Sequence, residues 1–211
     1  MAKIDVYNLD RQKVGELELA DEVFAVEVKE HLLHEVVVAQ LASRRAGTRA
    51  AKERSAVQGS KKKLYKQKGT GNARHGAIRA PIYVGGGRAH PPRPQDWSFR
   101  PPRQVRAGAL RSALSLIFKE GRLTVVDNIQ LSEPKTKQMA TVLANLKASG
   151  TTLVVDSGEN QNLRLSIRNM DESRFLPPEG VNVYDLLRHD NLVVSRDAAK
   201  ALEARCLERR S

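Results

Sequence analysis

Leu123-Thr124-Val125-Val126-Asp127 is a short apolar run that closes on a carboxylate. It is echoed twice downstream, by Leu153-Val154-Val155-Asp156 and by Leu192-Val193-Val194-Ser195. Runs this short, rich in Val and Leu and without polar alternation, read as strands covered on both faces. The intervening stretches read as helices. Residues 134–148 place Met139, Val142, Leu143 and Leu146 on one stripe, with Pro134 suited to a first turn and Gly150 to a stop. Residues 160–170 read as another helix and residues 174–176 as a short strand. Ser195 can cap a last helix that runs through Leu207. Buried strands alternating with helices predict an α/β fold with a mainly parallel sheet and helices on its faces.

The N-terminal part continues the pattern. Residues 3–7 and 14–19 alternate apolar and polar, as half-buried strands do. Residues 30–46 have helical spacing, with Leu33, Val36, Val37, Gln40 and Leu41 near one face and Gly47 placed to end the helix. Residues 104–120 read as a second helix closed by Gly121. Its apolar residues Val105, Ala109, Leu110, Ala113, Leu114, Ile117 and Phe118 cover more than one face, so it should be well buried. There is no internal repeat.

Composition narrows the classes. A chain of 211 residues can bury a sizeable core in one or at most two domains. The single cysteine, Cys206, excludes an intramolecular disulfide and points to a reducing compartment. No apolar run approaches the roughly 18 residues of a membrane span. Residues 1–7 do not read as a secretory signal. The formal net charge of +12 suggests a polyanionic partner.

The charge is not spread evenly. Residues 1–43 hold 4 basic and 9 acidic residues, and residues 107–211 hold 15 and 13. Residues 44–106 hold 17 basic residues and only two acidic ones, Glu53 and Asp96. That segment also has 8 of the 14 glycines and 6 of the 9 prolines, and it lacks a sustained apolar period. Gly85-Gly86-Gly87, Pro91-Pro92 and Pro101-Pro102 interrupt regular structure. It is expected to be an extended arm at about residues 47–103, inserted in a single α/β domain spanning residues 1–211. Fully extended, half of it would reach on the order of 100 Å.

The chemistry of such an arm is phosphate neutralisation, with affinity that falls steeply with salt. Tyr65, Tyr83, Trp97 and Phe99 are spaced to stack on unpaired bases, which favours RNA over duplex DNA. Other motifs carry less. Gly69-Thr70-Gly71-Asn72-Ala73-Arg74 begins like a dinucleotide fingerprint, but it ends in Arg and no strand precedes it. His31, His34 and Glu35 have metal-ligand spacing but no partner cluster, so they read as helix-surface or packing residues. Asp127 and Asp156 close strands where α/β enzymes place catalytic groups, yet no nucleophile pair or cofactor signature accompanies them. No catalytic residue, metal or cofactor is expected.

The motif Lys66-Gln67-Lys68-Gly69-Thr70-Gly71-Asn72-Ala73-Arg74 closely resembles the signature of bacterial-type large-subunit ribosomal protein L-four. So do His34-Glu35-Val36-Val37-Val38, Ala42-Ser43-Arg44-Arg45-Ala46-Gly47-Thr48, Gly85-Gly86-Gly87, Ala109-Leu110-Arg111-Ser112-Ala113-Leu114 and Asn182-Val183-Tyr184-Asp185-Leu186-Leu187. The likeness covers nearly the whole chain in order. It implies a three-layer α/β/α domain with a four-stranded, mainly parallel sheet and a long basic internal loop. It implies a structural, non-enzymatic part of the large ribosomal subunit in the cytoplasm or an organelle. The loop would thread ribosomal RNA to the wall of the peptide exit tunnel, beside neighbouring proteins including L-twenty-two, and meet the nascent peptide in passing. Neither a membrane nor a homo-oligomer is implied.

Residue by residue, the resemblance and the charge together nominate an RNA-binding set. Its cations are Arg44, Arg45, Arg49, Lys52, Arg54, Lys61, Lys62, Lys63, Lys66, Lys68, Arg74, Arg79, Arg88, Arg93, Arg100, Arg103 and Arg106, and its aromatic residues are Tyr65 and Trp97. Lys66, Gln67, Lys68, Gly69, Thr70 and Gly71 would form the tunnel-wall loop. Three departures stand in the arm: Tyr65 where the family usually has Trp, Pro91 where it usually has Gly, and Gln95 where it usually has Arg. The alternative reading of the same charge is a non-ribosomal RNA-binding or RNA-chaperone protein. Limited proteolysis of the RNA-free protein should cut mainly between Arg49 and Arg103 and spare the flanks; protection of that segment would show an arm that is folded on its own.

Overall fold

The computed structural model describes residues 2–207. Met1 and residues 208–211, which the sequence reading assigns to the α/β scaffold, lie outside them. The chain divides into two units, one of Met1–Leu41 with Arg100–Ser211 and one of Ala42–Phe99.

The first unit begins with a hairpin, β1 (Ala2–Tyr7) and β2 (Lys13–Leu19). Asn8 folds its turn by accepting the amides of Asp10 (3.0 Å) and Gln12 (2.8 Å) on Oδ1, a role that short amide side chains fill readily. A one-turn helix α1 (Asp21–Phe24) buries Val23 and Phe24. Then follow α2 (Glu30–Ser43) and α3 (Arg103–Lys119), which flank the second unit in sequence. The rest alternates: β3 (Leu123–Val126), α4 (Thr136–Asn145), β4 (Thr152–Val155), α5 (Gln161–Arg168), β5 (Ser173–Leu176), α6 (Val183–Arg188), β6 (Asn191–Ser195) and α7 (Arg196–Leu207).

The sheet has six strands in the order β2-β1-β3-β6-β4-β5. Only the β1–β2 pair is antiparallel. The three short apolar runs lie side by side in register: Leu153 opposite Leu192, Val154 opposite Val193, and Val125 opposite Val194. Alternate residues then supply opposite faces. Val125, Leu153, Val155, Leu192 and Val194 pack with buried residues of α2, α3, α6 and α7. Val126, Val154 and Val193 pack with Met139 and Leu143 of α4 and with Leu163 and Ile167 of α5. The result is the expected three-layer α/β/α arrangement.

Four details correct the sequence reading. The sheet has six strands rather than four, because the β1–β2 hairpin joins one edge and β5 the other. Helix α2 stops at Ser43, not Ala46; Gly47 takes a left-handed φ of +62° and turns its carbonyl to the Gln95 amide (3.1 Å). Helix α4 starts at Thr136, after an extended Lys135, rather than at Pro134. The helices α1 and α6 are additional, since four and six residues are too short to show a period. Gln40, anomalous on an apolar face, is explained by α6: its Oε1 accepts the Tyr184 amide (3.1 Å) in the first turn.

The start of α6 carries a buried carboxylate bonded on both oxygens. Asp185 is 1% exposed. One of its oxygens accepts from Arg174 Nη1 (3.0 Å) and the other from Asn182 Nδ2 (2.7 Å), while Asn182 Oδ1 caps the Asp185 amide (2.9 Å). Asp185→Ala should therefore lower unfolding stability by about 2 kcal/mol, read from the urea midpoint, since it strands donors that the fold has partly desolvated.

Candidate nucleic-acid interface

Unit Ala42–Phe99 contains 14 of the basic residues against the two acidic ones. Repulsion and low apolar content prevent a core there. The unit is built instead from two antiparallel legs, residues 47–64 and 76–95, joined by residues 65–75. No continuous ladder forms among the described residues: Pro91, Pro92 and Pro94 lack the N–H it would need at one end, and toward the loop the legs meet in an isolated antiparallel bridge between Lys63 and Ala77. Single backbone bonds tie the legs at intervals: Gln95 N to Gly47 O (3.1 Å), Ala51 N to Pro92 O (3.1 Å), Arg88 N to Lys52 O (3.0 Å) and Leu64 N to Gly76 O (3.2 Å). Gly87 lets the legs touch: a Cβ there would collide with the Glu53 and Arg54 backbone.

Some of the nominated cations work inside this unit. Arg79 is half-buried and spans the legs, donating from Nη1 to Val57 O (3.0 Å) and Ser55 O (3.4 Å). Arg93 pairs with the Glu53 carboxylate. Arg45 lies 3.9 Å from the Trp97 ring centroid, a cation–π contact. Lys63 donates to His75 O (2.9 Å) and Gln67 Oε1 (2.5 Å). The others in the unit, Arg44, Arg49, Lys52, Arg54, Lys61, Lys62, Lys66, Lys68, Arg74 and Arg88, are all exposed. Arg100, Arg103 and Arg106 belong to the other unit; the first two are exposed and Arg106 is half-buried.

The aromatic residues divide similarly. The Tyr65 hydroxyl donates to Ala73 O and closes the loop, and its ring meets His75 edge-on at 6.1 Å. His75 in turn packs against Tyr83 at 5.3 Å, and burial raises the Tyr83 hydroxyl above its ordinary pKa. Tyr65 and Tyr83 thus brace the loop. Trp97 and Phe99 remain exposed. All of residues 66–74 are exposed, including the six nominated for the tunnel wall.

Both anions are held ionised. The Ser55 hydroxyl and the Arg93 guanidinium keep Glu53 below the usual carboxylate range, and the Ser98 amide and hydroxyl do the same for Asp96. Glu53 is the single acid among the cations between Arg44 and Gln95, and its pair with Arg93 ties the two legs together.

The strand-end carboxylates have structural work. Asp156 is buried and accepts from Ser195 Oγ (2.6 Å) and Asn160 Nδ2 (2.8 Å). Ser195 Oγ and Asn160 Oδ1 cap α7 and α5. Asp127 pairs with Arg196 at 3.5 Å. A polar crevice of about 1030 Å³ lies beside them; in it Asp156 is held by the capping side chains Ser195 and Asn160 and Asp127 by its ion pair with Arg196. Among the described residues no three of His, Cys, Asp and Glu converge as metal ligands.

Comparison with known proteins agrees with this geometry. The model of the Ribosomal protein L4/L1 family matches residues 17–205. "Large ribosomal subunit protein uL4" of Anaeromyxobacter sp. (strain K) is 55% identical over 204 residues, covering 97% of this chain and 98% of the relative. The proteins of the same name from Desulfatibacillum aliphaticivorans and Myxococcus xanthus (strain DK1622) are each 49% identical, over 98% and 96% of this chain and 100% and 98% of their own lengths. An α/β scaffold interrupted by a coreless cationic unit, matched along almost its whole length, places this chain in the ribosomal protein L4/L1 family.

Proposed function

We propose that this protein is a structural constituent of the large ribosomal subunit that binds ribosomal RNA through its basic unit. It is not an enzyme. The observation that carries the reading is the unit Ala42–Phe99 itself, where 14 cations face two anions and most of the cationic side chains are exposed. Such a surface gains affinity by releasing counterions from a phosphate backbone. In this reading the unit is an arm inserted in a single domain. Residues 66–71 lie along the wall of the peptide exit tunnel, beside L-twenty-two, where the nascent peptide passes. The exposure of those residues and the brace formed by Tyr65, His75 and Tyr83 support it. The place of action is the cytoplasmic ribosome.

Exposed cations such as Arg49, Lys61, Lys62 and Arg74 bind phosphates, whereas Arg79 and the likewise exposed Lys63 and Arg93 are engaged within the unit and shape it. This division is testable. Replacing Arg49, Lys61, Lys62 and Arg74 together by Gln should weaken binding to large-subunit RNA and flatten the log–log salt dependence by about 0.7–0.9 for each phosphate no longer neutralised. An unchanged slope would show that these side chains do not meet phosphate. The wild-type protein should also co-sediment with large subunits through a high-salt wash; recovery only in free ribonucleoprotein would favour the RNA-chaperone reading. Gly87→Val should speed hydrogen exchange at the Ala51 and Arg88 amides and reduce RNA affinity without moving the thermal midpoint of the α/β unit.

A further inference from the structure

Between the two legs lies a recess of about 680 Å³, walled by Glu53, Arg54, Pro81, Arg88, His90 and Pro91 among others. That volume is within the range of about 300–1,000 Å³ typical of small-ligand sites. The recess is built into the unit. The bonds from Ala51 N to Pro92 O and from Arg88 N to Lys52 O join the legs beside it, and Gly87 fixes their closest approach. His90 adopts a φ of +47°, a left-handed conformation that residues other than glycine seldom take. The chain turns there and sets Pro91 into the wall.

We propose that this recess seats one unpaired guanosine nucleotide of single-stranded RNA, with Glu53 reading the base and Arg54 and Arg88 holding its phosphates. The proposal rests on the RNA-binding reading above and makes it specific at one position. The guanidinium groups of Arg54 and Arg88 are exposed and have no partner among the described residues. Pro81 and Pro91 offer apolar ring faces against which a base can lie.

Glu53 decides which base. A carboxylate on a phosphate-binding surface is repelled by the ligand, so its presence is costly unless it meets donors there. Ionised, it is acceptor-only, with about four lone-pair sites on two oxygens. Ser55 Oγ occupies a site on Oε1 and Arg93 Nη2 a site on Oε2. One site on each oxygen remains, and the side chain is 39% exposed. Guanine alone presents two adjacent donors, N1–H and N2–H, on its Watson–Crick edge. Adenine and cytosine place an acceptor nitrogen beside their amino group, and uracil flanks its single N–H with two carbonyls. Bases in unpaired RNA are commonly read on that edge.

The test measures fluorescence anisotropy of the full-length protein with short oligouridylates carrying one central G, C, A or U, at fixed salt. Wild type should bind the G oligonucleotide roughly tenfold more tightly than the others, the scale of one good side-chain–base pair. Glu53→Gln keeps one carbonyl oxygen to accept from Arg93 and turns an amide N–H toward Ser55 Oγ, which can accept it, and it should bring the four affinities within about twofold with the salt slope unchanged. Arg88→Ala should weaken all four alike. Equal wild-type affinities, a preference for another base, or a guanine preference that survives Glu53→Gln would each overturn the seat while leaving the RNA-binding reading intact. The absence of salt-sensitive binding to all four would overturn both.

Discussion

Like-charge repulsion is the constraint on which the basic unit depends. With 14 cations and two anions between Ala42 and Phe99, collapse around an apolar core is unfavourable. The unit is held instead by point contacts that each solve a local problem. Gly87 brings the legs into touch, Arg79 crosses between them, and Tyr65 closes the loop against Ala73 and His75. Glu53 offsets part of the repulsion through its pair with Arg93. An exposed ion pair contributes little to stability, so this one matters more for the direction it gives the two side chains.

The α/β unit solves the opposite problem. Its strands are only four to seven residues long, so stability depends on covering both faces of the sheet. The in-register Leu-Val-Val runs do this by sending alternate residues to two separate helical layers. Buried polar groups are satisfied where strands give way to helices. Ser195 both caps α7 and donates to Asp156, and Asn160 both caps α5 and donates to the same carboxylate. Asp156, a carboxylate that would be a catalytic suspect in an enzyme, is thus engaged by the two capping side chains.

The sequence alone was enough for the α/β class, because apolar period and helix-stop chemistry are local properties. It also located the cationic segment and its glycines and prolines, since charge and backbone breakers can be counted along a chain. It did not reveal α6, whose six residues are specified by Asn182 and by Gln40 from a distant helix. Nor did it reveal the edge strands' place in a six-stranded sheet, because strand order is a matter of long-range pairing. Within the candidate interface it could not separate exposed cations from structural ones. Arg79 and Arg88 look alike in sequence; the guanidinium of one is bonded to the backbone of the opposite leg, while the other residue is exposed at the rim of the recess. That distinction, and the recess around Glu53, were decided only by tertiary structure, since each depends on which residues of two distant legs are brought within a few ångströms.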